Sequence, residues 1–446
     1  MTRMDTTGNV TRRSAVLTAA AGLLLAACRP QQAAPAKDNK PKAASGPALF
    51  WMGMNTAKDN PVVDTVTSSF KEKNPAIDLT IEWEGNMDKL KASVAGGAPP
   101  DMMHTQSYVQ TTWGVGGVVQ ALDSQLKLAR YIKPEDVWPL KWNEVVFKGK
   151  TYALPYSLDT RVVYMNTAVM NEAGVDVTRP PRDWDEMLAA AQRVAKVDRA
   201  NDVVDRLGFD PYLGSGGRAR WLVPFWQQGG EFTASDGLTV TINNEKGIAA
   251  MEWAVKLLET QGGWPAIEAL EKQGNSDAIF ANGKVGFLYE TFSARESSFQ
   301  RQWPSLELAF MDYPVIRGGK PANYAGGWAI CLPTGAKNPD GAWALCEHFY
   351  SPDIDLQWAS ALLRVPVRMS VAKSDDYTRR DPLLKATVDG MQYGRFVPSM
   401  PGAEAALPLY TGMVLDIISQ KVSVREGLRQ AQEKLQIELD KFKGMG

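Results

Sequence analysis

Histidine is almost missing from this chain: its 446 residues include two, His104 and His348. Imidazole is the side chain whose charge changes near neutral pH, and it is the commonest metal ligand. Neither histidine has partners at metal-ligand spacing, so no metal and no cofactor is expected. Cysteine is scarce too, limited to Cys28, Cys331 and Cys346. The formal net charge is -1 and no long basic run occurs, which argues against a nucleic acid partner. The nucleophile pattern G-x-S-x-G is absent. The apolar run from Ala15 to Ala27 is interrupted by Thr18 and Gly22, and falls short of the roughly 20 residues a bilayer crossing needs.

What is present is the material of a soluble globular body. Hydrophobic residues make up 44% and charged residues 22%, and a chain this long is expected to divide into two lobes. Fourteen tryptophans supply large flat faces suited to ring-shaped ligands, although packing alone can absorb most of them.

The first 28 residues read as an export signal. Arg12-Arg13 precede the apolar run, and Leu25-Ala26-Ala27-Cys28 resembles a bacterial lipobox, where cleavage exposes a cysteine that receives lipid. Thr11-Arg12-Arg13 resembles a twin-arginine motif, with Ala15 departing from its pattern, so the twin-arginine and general secretory routes both stay open. Residues 29–47, rich in Ala, Pro, Gln and Lys, read as a flexible tether. An extracytoplasmic setting permits a Cys331–Cys346 disulfide, and two buried free thiols are the alternative.

From Ala48 the pattern alternates strand and helix. Ala48 to Met52, Ile77 to Trp83 and Met102 to Thr105 read as strands, separated by helices at Val62 to Lys73 and Met87 to Val94. That order predicts a parallel sheet flanked by helices, with ligands beyond the carboxyl ends of the strands. Trp51, Asn55, Gln106 and Tyr108 lie at or after such ends. Asp183 with Glu186 forms a capping-box pattern opening a helix to about Val197, and Ser423 with Glu426 opens the final helix. A short strand-like run, Thr151 to Leu154, is expected to stop at Pro155. A polar patch, Ser157 to Arg161, then separates it from a second run, Val162 to Met165.

The order of motifs resembles the extracytoplasmic solute-binding proteins of ATP-driven importers, in the branch that serves mainly carbohydrates. The resemblance is carried by Phe70 to Ile77, Ala98-Pro99-Pro100-Asp101, Gly149 to Pro155 with Tyr164-Met165-Asn166, Pro181 to Glu186, Gly283 to Gly286, and Gly326 to Ile330. It implies a type II periplasmic-binding-protein-like α/β fold, each lobe a mostly parallel sheet flanked by helices, with the ligand cleft between them. Lobe 1 would comprise residues 48–157 and 327–372, and lobe 2 residues 158–326 and 373–446. It also implies a monomer, lipid-anchored on the outer face of the cytoplasmic membrane or in the periplasm. Such a protein delivers a saccharide to ABC transporter permease subunits by cleft closure and is not an enzyme.

Binding a sugar calls for aromatic plates and polar edges. The candidate contacts are Trp51, Asn55, Gln106, Tyr108, Asp159, Arg161, Trp221, Trp226, Glu290, Phe292, Tyr324 and Trp328. Blander roles stand beside these. Asp159 can pair with Arg161 and only brace the hinge, Glu290 can cap a helix, and at least one of Trp221 and Trp226 belongs to the core. Arg364 and Arg368, near Pro366, read as lobe-surface or hinge residues, with ligand contact the alternative. A polyamine, phosphorylated polyol or peptide ligand, a sensor role, and an exported glycosidase using Asp159 and Glu290 are the competing functions.

Overall fold

A computed structural model describes residues 44–54, 57–198, 203–210, 219–291, 294–396 and 399–445. Cys28, the export signal, most of the tether, Asn55 and Phe292 lie outside the described residues. The strands are β1 (Gly46–Met52), β2 (Ile77–Glu82), β3 (Met102–Gln106), β4 (Val146–Phe147), β5 (Lys150–Thr151), β6 (Leu154–Asp159) and β7 (Arg161–Asn166). They continue with β8 (Lys196–Asp198), β9 (Val203–Asp210), β10 (Val285–Thr291), β11 (Leu308–Met311), β12 (Asn323–Tyr324), β13 (Gly326–Cys331) and β14 (Gly394–Arg395).

Two sheets organise two lobes, in the orders β2-β1-β3-β13-β6 and β11-β7-β10-β9-β8. In the first, β1 runs parallel to β2 and β3, while β13 runs antiparallel to β3 and β6. In the second, β9 and β10 are parallel, and β7 is antiparallel to both β10 and β11. The sheets are thus more mixed than the strand-helix alternation implies, because strands that carry the chain between lobes enter against the local direction.

Local sequence explains the helices. Val62, Val66 and Phe70 share one face of the helix Val62–Lys73 and are buried, and Pro75 lies just beyond its end. Asp183 caps the helix Trp184–Val194 by accepting the Glu186 N–H at 2.8 Å, a cap worth about 1 kcal/mol. The helix stops at Val194, short of Val197, because Lys196–Asp198 is drawn off as an edge strand on β9. Ser423 caps Val424–Asp440, which buries Leu428, Ala431, Leu435 and Leu439.

Pro155 does not end its strand. It lies inside β6, the last strand of its sheet, where β13 shows a register shift: Trp328 faces Ser157 and Ala329 faces Pro155, leaving Tyr156 as the extra residue. An edge strand with a bulge is the setting in which proline is tolerated. The polar crossing therefore shrinks to Thr160, between the last residue of β6 and the first of β7.

Tyr377, Leu384, Val388 and Met391 pack into the apolar core of the first sheet, whereas Met400 and Ala403 join that of the second. The helices after Ala372 thus present apolar side chains to the core of the first sheet as far as Met391. Cys331 and Cys346 are free and buried and belong to different apolar clusters. Burial pushes the Cys331 thiol up to about 12.

Candidate functional site

Three passages of chain join the lobes: Asp159-Thr160-Arg161, Tyr324-Ala325-Gly326, and the segment around β14. The two short strands β12 and β14 pair in parallel, Asn323 with Gly394 and Tyr324 with Arg395. Asn323 is fixed from both sides. Its amide oxygen accepts from the Tyr289 hydroxyl at 2.6 Å, and its amide nitrogen donates to the Arg161 carbonyl at 2.5 Å.

The charged residues of the first passage form a chain of contacts. The Arg161 guanidinium donates to Asp159 Oδ1 at 3.1 Å, and Arg364 donates to Asp159 Oδ2 at 2.7 Å. Arg161 also lies 4.1 Å above the centre of the Tyr324 ring. Burial acts to lower its pKa, but Asp159, Tyr324 and Glu290 outweigh that and raise it. Glu290 is fully buried on β10, directly across from Val162 of β7. The pairing of Asp159 with Arg161 considered from the sequence is present. Both carboxylate oxygens of Asp159 are engaged by guanidinium groups, and Arg364 enters the cluster.

Register decides which aromatics share the face of that cluster. Gly326 faces Asp159, and a Cβ at Gly326 would lie 2.6 Å from Asp159 Oδ1. Trp328, two residues on, projects to the same face and stands opposite Gln106 of β3. Its ring stacks on His104, 4.9 Å between centres at 17°. Trp328 and Gln106 are partly exposed. His104 is fully buried, neither ring nitrogen has a hydrogen-bond partner among the described residues, and burial, with Arg364 nearby, lowers its pKa to about 3. Tyr156 packs edge-on to the same imidazole at 4.7 Å.

The other candidates divide. Trp51 faces away from Trp328: it pairs with Met103 and packs with it in a different apolar cluster, and its indole donates to Glu82 at 2.9 Å. Trp221 is fully buried, stacked on Phe225 at 4.6 Å with its indole on the Gly247 carbonyl at 2.9 Å. Both tryptophans are thus buried in packing contacts, away from the face that carries Trp328. Trp226 is buried against Tyr324, ring centres 6.4 Å apart, and Arg395 lies 5.4 Å over its ring. Tyr108 is partly buried and packs against clusters of both lobes. The sequence offers no site role for Lys141, Glu144 or Phe396, and for Arg364 it offers ligand contact only as the alternative to a surface or hinge place.

Two α/β lobes joined by three passages, with charged and aromatic residues gathered at the junction, define the class of two-lobed periplasmic binding proteins. The chain belongs to the bacterial extracellular solute-binding protein family, whose model matches residues 65–386. It is similar to a putative binding protein of Brucella abortus (strain 2308), 22% identical over 380 residues, covering 81% of this chain and 86% of that one. Two solved structures share the fold. One is a cyclic α-maltosyl-1,6-maltose binding protein from Arthrobacter globiformis, with TM-score 0.74, 20% identity, and 89% of this chain and 100% of that chain covered. The other is an ABC transporter solute-binding protein from Thermotoga lettingae bound to α-D-tagatose, with TM-score 0.73, 21% identity and the same coverage.

Proposed function

We propose that the protein captures a sugar or oligosaccharide between its lobes and delivers it to the permease subunits of an ABC transporter. The observation that carries this reading is Trp328. One face of the indole rests on His104 while the residue stays partly exposed, on the same side of the sheet as Asp159 and beside Gln106. Arg364 completes the set. A flat apolar plate beside an amide and an Arg–carboxylate pair matches the ring face and hydroxyl edge of a pyranose. The tagatose and maltosyl-maltose bound by the two proteins of like fold support the same ligand class.

Arg364 and Gln106 donate to hydroxyls, Asp159 accepts through its remaining lone pairs, and Arg161 and Tyr324 hold Asp159 in place from the second lobe. Tyr108 closes on the ligand from the first. No step calls for catalysis. The lipobox-like Cys28 supports lipid anchoring at the outer face of the cytoplasmic membrane, where a monomer would meet the permease.

A thermal-shift screen of the body from Ala48 against mono- and oligosaccharides, polyamines and sugar phosphates tests the reading, since a ligand stabilises the state it binds. A saccharide is expected to raise the melting temperature. A shift with a polyamine and none with any saccharide would refute the carbohydrate assignment.

A further inference from the structure

Lys141 is fully buried, on the short helix Pro139–Glu144 of the first lobe. Its ammonium pairs with Glu144 and donates to Ser107 Oγ at 2.5 Å. The Ser107 hydroxyl in turn donates to the Gly327 carbonyl at 3.4 Å. A Cβ at Gly327 would sit 3.1 Å from Lys141 Nζ, so the ammonium lies directly against the second passage between the lobes. The same Nζ stands 4.7 Å from the centre of the Phe396 ring, one residue past β14 in the third passage. One buried charge thus touches the turn that carries Gln106 and Tyr108 and two of the three passages on which the lobes pivot.

Stability does not account for such a residue. Taking an ammonium and a carboxylate out of water costs several kcal/mol per ion, and an apolar pair of like volume is often as stable or more so. What an ammonium does that a methionine cannot is direct three N–H donors at fixed partners. Here it orients the Ser107 hydroxyl toward the Gly327 carbonyl, one residue before Trp328.

We infer that Lys141 is a positioning residue for ligand capture. With Glu144 and Ser107 it pins the Gln106–Tyr108 turn and the Gly327 and Phe396 segments in one arrangement, so that Gln106, Tyr108 and Trp328 meet the ligand together. This rests on the carbohydrate-binding reading above, and its test is chosen to separate the two. The Lys141→Met/Glu144→Gln double variant removes both charges without leaving one unpaired. It is expected to melt at or above the temperature of the parent protein. Amide exchange should speed up at residues 105–109 and 326–329 and stay unchanged in the second sheet. The saccharide found by the screen should bind about tenfold more weakly, through faster dissociation.

Ser107→Ala, which removes only the relay hydroxyl, is expected to move exchange and affinity in the same direction, and Ser107→Thr to restore both. A folded double variant with the parent's exchange pattern and affinity would overturn the inference. If the double variant does not fold, an unchanged Ser107→Ala protein does the same. Local exchange changes in a protein that binds no saccharide would leave the pinning intact and remove the carbohydrate reading instead.

Discussion

His104 sets up a strong pH-dependence prediction. The imidazole is fully buried between the Trp328 and Tyr156 rings, and its folded pKa is lowered to about 3, first by burial and then by the Arg364 charge. In the unfolded chain it titrates at about 6.5. A histidine with a depressed folded value contributes stability that is fully present above about pH 6.5 and is lost as pH falls toward its folded value, because the unfolded state binds the extra proton. Between pH 7 and pH 4.5 that loss amounts to about 3 kcal/mol, from roughly two pKa units at 1.36 kcal/mol each. His104→Phe keeps a flat ring of similar size in the stack and removes the titration. Urea unfolding of both proteins at pH 7 and pH 4.5, followed by far-UV circular dichroism, gives a double difference in which every other titrating group cancels. The variant should lose about 3 kcal/mol less than the parent on acidification. Equal losses in the two proteins would refute the argument, since the imidazole would then not be held neutral by its surroundings.

Asp355 has the opposite sign. Burial raises its carboxyl to about 7 against the hydrogen bonds it accepts from Arg368 and Val367, so its contribution falls away as pH rises from about 4 to 7. Asp355→Asn should flatten the stability profile over that window by up to about 4 kcal/mol, measured by denaturant midpoints across the range. Gly326→Ala places a Cβ 2.6 Å from Asp159 Oδ1 and must displace a carboxylate held by two guanidinium groups. A loss of about 1–3 kcal/mol is expected together with weakened saccharide binding, and unchanged binding would contradict the proposed role of Asp159. Cys28→Ala should move the protein from the membrane fraction to the soluble fraction after lysis, and persistence in the membrane would sink the lipid anchor.

What sequence reasoning could reach follows from how local each signal is. The helix Val62–Lys73, the capped helix at Asp183 and the final helix at Ser423 depend on neighbours within four residues, and all three form, the second ending at Val194 where a strand takes over. The first passage was legible because two apolar runs flank a short charged patch, and Asp159 with Arg161 does form an ion pair across it. Pro155 was misread because the ban on proline applies to strands whose N–H groups must all bond, and only the sheet order reveals that β6 is an edge strand. Trp51 and Trp328 are both strand tryptophans in sequence, and the register of β1 and β13 on β3 alone turns them to opposite faces.

Lys141 and Glu144 are the deeper case. On an exposed helix face, a pair spaced three apart is worth only a few tenths of a kcal/mol. Tertiary packing instead seals them beneath the lobe junction. Tertiary packing likewise sets the surroundings of Gly326 and Gly327. Each is opposed by an atom with no room to give: the pinned Asp159 carboxylate at Gly326, and the Ser157 carbonyl with the Lys141 ammonium at Gly327. Gly326 is required here for close approach, and Gly327 both for close approach and for its backbone angle, φ +158°. The second passage is therefore a tightly packed joint.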